Sequence, residues 1–454
     1  MSQPTEITAL FADHLQRVSE QWEASLAFAG FDAAIITAGE PVSYFLDDQA
    51  PPQKLNPHFL QWCPDTAAIG SALLIRPGTG PQLFFLQPSD YWHQPPEVPE
   101  WAADFDVQIF AERDALLAAA RRAAFASANH VALIGDSGQD VLQEISAEDT
   151  NTPALLDHLH FARARKTPFE LGAMRVATER AVRGHLAARD AFYTGASEFQ
   201  INLAYLGACG QLPAELPYQN IVALNEHAGV LHYQHYDTAP PANRHSFLID
   251  AGGSHCGYAS DITRTYTAES GGLFGELIER MDAAQLALIE TMAAGMPYLE
   301  LHTDMHRRLA GILSDSQLVT CSAEEAFESG LTETFLPHGL GHLIGLQTHD
   351  VGGQQLGPEG GLSPPPENYP ALRLTRTLEA HMPVTIEPGL YFVPQLLEAA
   401  FAGSAGNHLN RGLIEALLPC GGIRIEDNVY LDDGVLVNMT REAFAAAEAV
   451  TAEA

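Results

Sequence analysis

Residues 248–266 read LIDAGGSHCGYASDITRTY. Two β-rich runs, Ser246 to Gly252 and Tyr258 to Tyr266, flank a short turn that contains glycine. A hairpin centred on His255 and Cys256 sets Asp250 opposite Asp261, and directly opposed residues point to the same face of a sheet. Two carboxylates so placed repel each other unless one is protonated or a cation lies between them. The hairpin therefore predicts a metal. A glycine-rich turn fixes register weakly, and a slip of one or two residues would leave both aspartates solvated on an exposed strand. Ligands elsewhere in the chain have to decide.

Three further segments offer them. In MPVTIEPGLYF, Val384 and Ile386 alternate with Thr385 and Glu387, which predicts a strand with its apolar side turned one way and Glu387 the other. In GGIRIEDNVYL the same alternation separates Ile423 and Ile425 from Arg424, Glu426 and Asn428. The third, FLPHGLGHLIGLQTHD, carries His338 and His342 with Gly339 and Gly341 between them. Glycine disfavours a helix, so this is not the helical zinc motif HExxH. Each segment alone also fits a turn glutamate or a satisfied core histidine. Together, two aspartates, two glutamates and one of these histidines make a donor set of carboxylates and one imidazole, suited to hard or borderline divalent ions such as manganese, cobalt or zinc. So much negative charge exceeds what one ion balances. Two ions, bridged by carboxylates and holding a hydroxide between them, would balance it and give a nucleophile at neutral pH.

The charge balance narrows the partners. The chain has 57 acidic against 23 basic residues, a formal charge of -34, which works against nucleic acid and anionic membranes and attracts cations. No basic stretch precedes an apolar core at the amino terminus, and no run of about 18 apolar residues occurs, so a cytoplasmic location is expected. The 5 cysteines are scattered with no CxxC pair, and are expected to be reduced and structural.

With 454 residues the chain has room for two domains. Residues 1–160 alternate helical and strand patterns: an amphipathic run near 8–29, then AAIITAG, SALLIRPG, QLFFLQP, VQIFA and VALIG as strands. That predicts an α/β domain. Near residue 165 a helix start follows, with Thr167 as cap, Pro168 in the first position and Glu170 completing a capping box. Residues 161–454 then carry separated groups of helices and strands, so the chain as a whole is expected to be α+β. The Pro- and Gly-rich stretches 353–370 and 394–420 are expected as insertions over a site, and the tail AFAAAEAVTAEA is expected to fray.

The ordered set Asp250, Asp261, His342, Glu387 and Glu426, inside DAGGSHCGYASDITRTY, PHGLGHLIGLQTHDVGG, TIEPGLYF and GGIRIEDN, resembles the prolidases, metal-dependent Xaa-Pro dipeptidases of the pita-bread family. The resemblance spans nearly the whole chain. YFLDDQAPPQKLNPHFLQW and LRLTRTLEAHMPVTIEPG are most similar to the long bacterial branch that includes the organophosphorus acid anhydrolases. It implies an amino-terminal creatinase-like α/β domain followed by a pita-bread catalytic domain, with two divalent metal ions per subunit, manganese first and cobalt or zinc as alternatives. Asp250 would serve one ion, Asp261 and Glu426 would bridge both, and His342 and Glu387 would complete the other, with Glu387 also taking the proton of the bridging water. His232, His338 and His349 would line the substrate site, Arg373 would grip the proline carboxylate, Tyr218 would wall the pocket, and Arg424 would orient Glu426. The resemblance also implies a homodimer, with the segment around Asp48 reaching into the neighbour's pocket.

The expected activity is hydrolysis of Xaa-Pro dipeptides, with phosphotriesters as a side activity because tetrahedral phosphorus resembles the peptide transition state. The alternatives are an Xaa-Pro aminopeptidase acting on longer peptides, which the 353–370 insertion and Arg373 argue against, and a non-catalytic binding module, which would not need all five ligand positions filled.

Overall fold

The apolar runs of the first domain form five strands whose period of two splits them between the faces of one sheet. They are β1 (Ala33–Thr37), β2 (Ala72–Ile75), β3 (Gln82–Leu86), β4 (Asp106–Phe110) and β5 (Val131–Ile134), in the order β4-β3-β2-β1-β5. Pairs β1/β5 and β3/β4 are parallel and the others antiparallel. Ala34, Ile36, Leu73, Ile75, Leu83 and Phe85 face a core shared with the helices Phe11–Ala29 and Pro153–Arg163. Ala33, Ile35, Ala72, Leu74 and Phe84 face the helix Arg113–Phe125. The computed structural model describes residues 4–269 and 271–453.

The chain crosses between domains at residues 164–167, and the next helix, Pro168–Tyr193, starts with the expected capping box of Thr167 and Glu170. The second domain contributes β6 (Ile221–Leu224), β7 (Ser246–Asp250), β8 (Ser254–His255), β9 (Tyr258–Ala259), β10 (Thr263–Thr267), β11 (Gln355–Gly357), β12 (Gly360–Leu362), β13 (Val384–Ile386), β14 (Gly389–Tyr391), β15 (Gly422–Arg424), β16 (Asp427–Asp432) and β17 (Val435–Asn438). Its sheets run β10-β7-β6 and β13-β16-β17, with β14 paired to β15. A bridge from Thr263 to Glu426 ties the start of β10 to the break between β15 and β16, and one from Leu343 to Val384 docks the His342 segment on β13; the helices Pro168–Tyr193, Glu198–Cys209, Leu273–Ile289 and Tyr298–Asp315 complete the domain.

Four sequence expectations are corrected here. Asp250 pairs with Thr263, not Asp261, because the hairpin turns on Cys256 and Gly257, both at positive φ (52° and 82°). That is a two-residue type I′ turn, which moves the register by two and preserves the face. The run 422–432 is not one strand: it breaks at Ile425 and Glu426, and its halves join different sheets. Residues 394–420 are not a loop over a site but mostly the helices Pro394–Ala402 and Arg411–Leu417, packed by Leu397, Ile414 and Leu417 into the main core. The tail continues as the helix Met439–Glu453, with Phe444 and Ala447 packed beside Val182 and Ile262. The 353–370 stretch forms the β11–β12 hairpin, which leans on the first domain through Gln355 donating to the Asp157 carbonyl.

The domain seam is tied by a buried ion triad. Asp350 accepts from Lys166 Nζ at 2.7 Å and from Arg163 Nη2, and Arg163 also donates to Gln347. Burial alone would raise the Asp350 carboxyl, but the charges of Arg163 and Lys166 hold it well below the usual carboxylate range. Removing the anion leaves two buried cations unpaired, so Asp350→Ala should destabilise the protein by about 3–5 kcal/mol in denaturant titration. Because the folded value is depressed, the triad's contribution is present at neutral pH and should fade as pH falls below about 4.

Candidate metal centre

The centre is assembled from strand ends, where side chains leave the sheet and backbone contacts still hold them. Asp250 closes β7. Asp261 precedes β10, and Asn428 clamps its backbone, accepting from the Asp261 N–H at 2.9 Å and donating to its carbonyl at 2.6 Å. On the hairpin Asp250 and Asp261 are diagonal neighbours on one face, and Gly252 stands between them in register. A Cβ at Gly252 would meet Tyr218 and the Ser260 carbonyl, so glycine here makes room for the Tyr218 ring. Tyr218 Oη lies within hydrogen-bond reach of both Asp250 Oδ1, at 2.7 Å, and Asp261 Oδ1. Its single proton can serve one of them at a time.

His342 is fixed from behind. Its N–H donates to Thr385 Oγ1 at 3.0 Å, and its Nδ1 lies 2.9 Å from the Leu343 carbonyl, which sets the tautomer and turns Nε2 towards the carboxylates. Gly341 permits this, since a Cβ there would collide with the Thr385 carbonyl and Tyr298 Oη. Nε2 stands 3.5 Å from Asp261 Oδ2 and 3.6 Å from Glu387 Oε1. Glu387 follows β13, and its N–H donates to the Leu340 carbonyl at 2.8 Å. Glu426 sits at the break between β15 and β16, its Oε2 accepting from Thr263 Oγ1 at 2.7 Å. Donor atoms of Asp261, His342 and Glu426 all lie within 4.8 Å of one another. All five residues named from the sequence as ligands thus meet in one place.

Against these carboxylates the centre sets one buried guanidinium. Arg424 donates to Asp250 Oδ2 at 2.7 Å, to Tyr391 Oη at 2.8 Å and to Thr263 Oγ1 at 3.1 Å. It therefore holds Asp250 directly and reaches Glu426 only through Thr263, where the sequence had assigned it to Glu426. Burial first, then neighbouring carboxylates, push Asp250 up and Glu426 well up despite Arg424. Burial also lifts Glu387, to about 7, against the pull of His342 and Arg424. In Asp261 burial is the largest single influence, but the bond to His342 and its charge, with Tyr218 and His349, together outweigh it, and the carboxyl is lowered. A site that strains to keep its carboxylates charged, and that offers their oxygens together with one imidazole, fits divalent cations.

A cleft of about 1490 Å³ between the domains reaches this centre, lined by Tyr218, His232, Asp250, Asp261 and His349. The His349 ring stands edge-on to His342 at 4.4 Å. His338 Nδ1 is 3.6 Å from Glu387 Oε2, with Nε2 2.8 Å from Tyr391 Oη, and it opens instead onto a smaller cavity of about 170 Å³ with Leu336 and Leu372. Burial holds His338 at about 3 and His349 at about 4, so both are neutral. Arg373 is exposed and outside the cleft lining, although its charge reaches the His349 ring. Sequence reading missed Tyr391 and Thr263. Each is a polar residue in a buried strand, and that was the available signal.

Residues 172–433 match the model of metallopeptidase family M24, and residues 9–161 match that of the Xaa-Pro dipeptidase amino-terminal domain. Among curated relatives, the Xaa-Pro dipeptidase of Pectobacterium atrosepticum is 45% identical over 96% of this chain and 99% of its own. That of Xanthomonas oryzae pv. oryzae is 44% identical over 98% of this chain and 100% of its own. Among solved structures, aminopeptidase PepP of Pseudomonas aeruginosa is similar with TM-score 0.69 at 21% identity, covering 96% of this chain and 98% of that one. Zn-substituted E. coli aminopeptidase P in complex with product gives TM-score 0.69 at 20% identity, over 94% and 95%. At that identity the likeness speaks for the fold.

A raised carboxyl makes ligand binding compete with protons. Metal-free protein titrated with a divalent ion should lose apparent affinity as pH falls below about 7, by about tenfold per unit for each proton displaced. Affinity flat from pH 8 to pH 6 would remove Glu387 from the ligand set.

Proposed function

The chain belongs to metallopeptidase family M24, and from that premise we propose metal-dependent hydrolysis of Xaa-Pro dipeptides as its reaction, with Asp250, Asp261, His342, Glu387 and Glu426 holding two divalent ions, manganese first among them. Supporting this is the convergence of these side chains in a chain whose relatives, matched over nearly their full length, are Xaa-Pro dipeptidases. When bound, the ions supply Lewis acidity and lower the pKa of the attacking water.

The protein's own groups divide the remaining tasks. Glu387, whose Oε2 faces His338, takes the proton of the attacking water and returns it to the proline nitrogen as the tertiary amide breaks. His338 and His349 are neutral in their buried settings and transfer no proton; His338 gives its one ring N–H to the Gly339 carbonyl at 2.8 Å and accepts from Tyr391 Oη, so it acts as a fixed wall beside Glu387. His232 steadies a polar end of the peptide from the cleft wall. Tyr218 keeps its proton, since burial and the two aspartates raise it well above 10, and it bridges the carboxylates that Arg424 partly neutralises. Arg373 is proposed as the clamp on the proline carboxylate, resting on the motif match LRLTR and on its charge acting at His349. The same centre would take phosphotriesters as a side activity. The working unit is proposed to be a homodimer, in line with the exposed Tyr44, Phe45 and Leu46 near Asp48.

Metal-stripped protein restored in turn with manganese, cobalt or zinc should regain cleavage of Ala-Pro and Leu-Pro and leave Ala-Pro-Ala intact. Equal cleavage of the tripeptide would favour an aminopeptidase. Glu387→Gln should lower kcat by a factor on the order of 10². Arg373→Ala should weaken Ala-Pro hydrolysis by about 1.5–3 kcal/mol in kcat/KM, and barely affect the already poor cleavage of Ala-Pro amide. Equal loss on both substrates would take the carboxylate away from Arg373.

A further inference from the structure

His232 and Gln234 reach the cleft from residues 225–237, a segment after β6 that opens with the short 3-10 helix Asn225–Gly229 and then runs without regular structure. Such a segment positions a side chain only if something behind it is rigid. Here that support is one carboxylate. Glu198, in the first turn of the helix Glu198–Cys209, is 1% exposed. Its Oε1 accepts from the Leu224 N–H at 2.9 Å and lies 2.7 Å from His227 Nδ1. Its Oε2 accepts from Tyr233 Oη at 3.0 Å and from the Asp237 N–H at 2.9 Å. The backbone closes the same contact, with the Phe199 N–H donating to the Asp237 carbonyl at 3.1 Å. Both ends of the segment and its middle are thus gathered on a single buried group.

The neighbour of His232 is the middle anchor. Tyr233 is buried against His227, with ring centroids 4.4 Å apart, while His232 is exposed to the cleft. Tyr233 closes a β-turn, its N–H donating to the Val230 carbonyl at 3.1 Å with His232 at the third position, so the bond that pulls Tyr233 inward fixes the turn that presents His232 to the cleft. Donor atoms of Glu198, His227 and Asp237 lie within 4.8 Å, as in a cation site. Here, however, both Glu198 oxygens are already committed to N–H and O–H donors, and no free lone-pair cage remains.

We propose that Glu198 is a positioning residue for peptide hydrolysis, acting through the Tyr233 anchor to hold His232 at the substrate. This deepens the Xaa-Pro dipeptidase reading and rests on it. Glu198→Gln keeps the size of the side chain and loses half its acceptors, so the segment loosens and His232 samples positions away from the peptide. Misplacement on the order of 1 Å costs up to about 10² in rate.

The test is a double-mutant cycle on Ala-Pro with metal-loaded enzyme, read with hydrogen exchange. Expected are a loss of kcat/KM of about tenfold for Glu198→Gln, a loss at least as large for His232→Ala, and less than about twofold further loss when Glu198→Gln is added to His232→Ala. Metal content should be unchanged, and amides of 225–237 should exchange faster while those of the helix Leu273–Ile289 do not. A purely structural Glu198 would cost the same factor in both backgrounds, and that result, or a fully active His232→Ala, overturns the proposal. Should Glu198→Gln fail to fold, Tyr233→Phe removes one of the four contacts and must show the same coupling on a smaller scale. Wild-type enzyme inactive on Ala-Pro would sink the dipeptidase reading instead, and unchanged exchange over 225–237 would then overturn the role of Glu198 independently.

Discussion

The mutual repulsion of Asp250, Asp261, Glu387 and Glu426 is the constraint around which the catalytic domain is built. Two like charges about 4 Å apart cost about 4 kcal/mol at an effective dielectric of about 20, and a domain is stable by only about 5–15 kcal/mol in all. The fold answers with Arg424 on Asp250, Thr263 on Glu426, His342 on Asp261 and Tyr218 between the two aspartates. The remainder shows in the carboxyls of Asp250, Glu387 and Glu426, all raised. Divalent cations held there would remove that remainder, which would make metal binding and the stability of the centre one quantity seen from two sides.

Holding such a centre requires backbone that does not move, and the supports come from outside it. Asn428 clamps Asp261 by its backbone, and Thr385 and Gly341 fix His342. The loops that bring histidines to the cleft are each backed by a buried acid next to the presented residue. Asp350 follows His349 and is held by Arg163 and Lys166 from the domain seam. Glu198 holds Tyr233, which follows His232. One acid is matched with two permanent cations and the other with N–H and O–H donors, so the two differ in cost. Losing Asp350 strands charge, whereas losing Glu198 frees a loop.

The sequence announced the first-domain strands, the capped helix at Pro168 and the metal donor set, because each depends on local pattern or on residue type. It misplaced the hairpin register because a type I′ turn normally signals itself with Asn-Gly or Asp-Gly, and here Cys256 takes the first positive φ. The slip of two residues preserved the face, so the conclusion drawn from paired aspartates survived a wrong pairing. Diagonal placement is the better arrangement, since it widens the gap and admits Tyr218. The helices within 394–420 were hidden by Pro and Gly at their borders, and the partner of Arg424 by a rule that residues two apart on a strand share a face. That rule fails where the strand breaks, between Arg424 and Glu426.

The pKa ordering also decides who can protonate the leaving proline. Cleavage of a tertiary amide needs a proton at nitrogen, and a group whose conjugate acid lies near 3 or 4 has none to give at neutral pH. His338 and His349 are excluded on that ground by the burial that depresses them. Tyr218 is excluded in the other direction, its proton held too tightly by the aspartates it bridges, and Arg424 is more firmly protonated still. Among these groups only Glu387 is lifted by burial towards neutrality, to about 7 before metal binds, which leaves it as the proton carrier of the proposed reaction. In that proposal one carboxyl serves as base and then as acid.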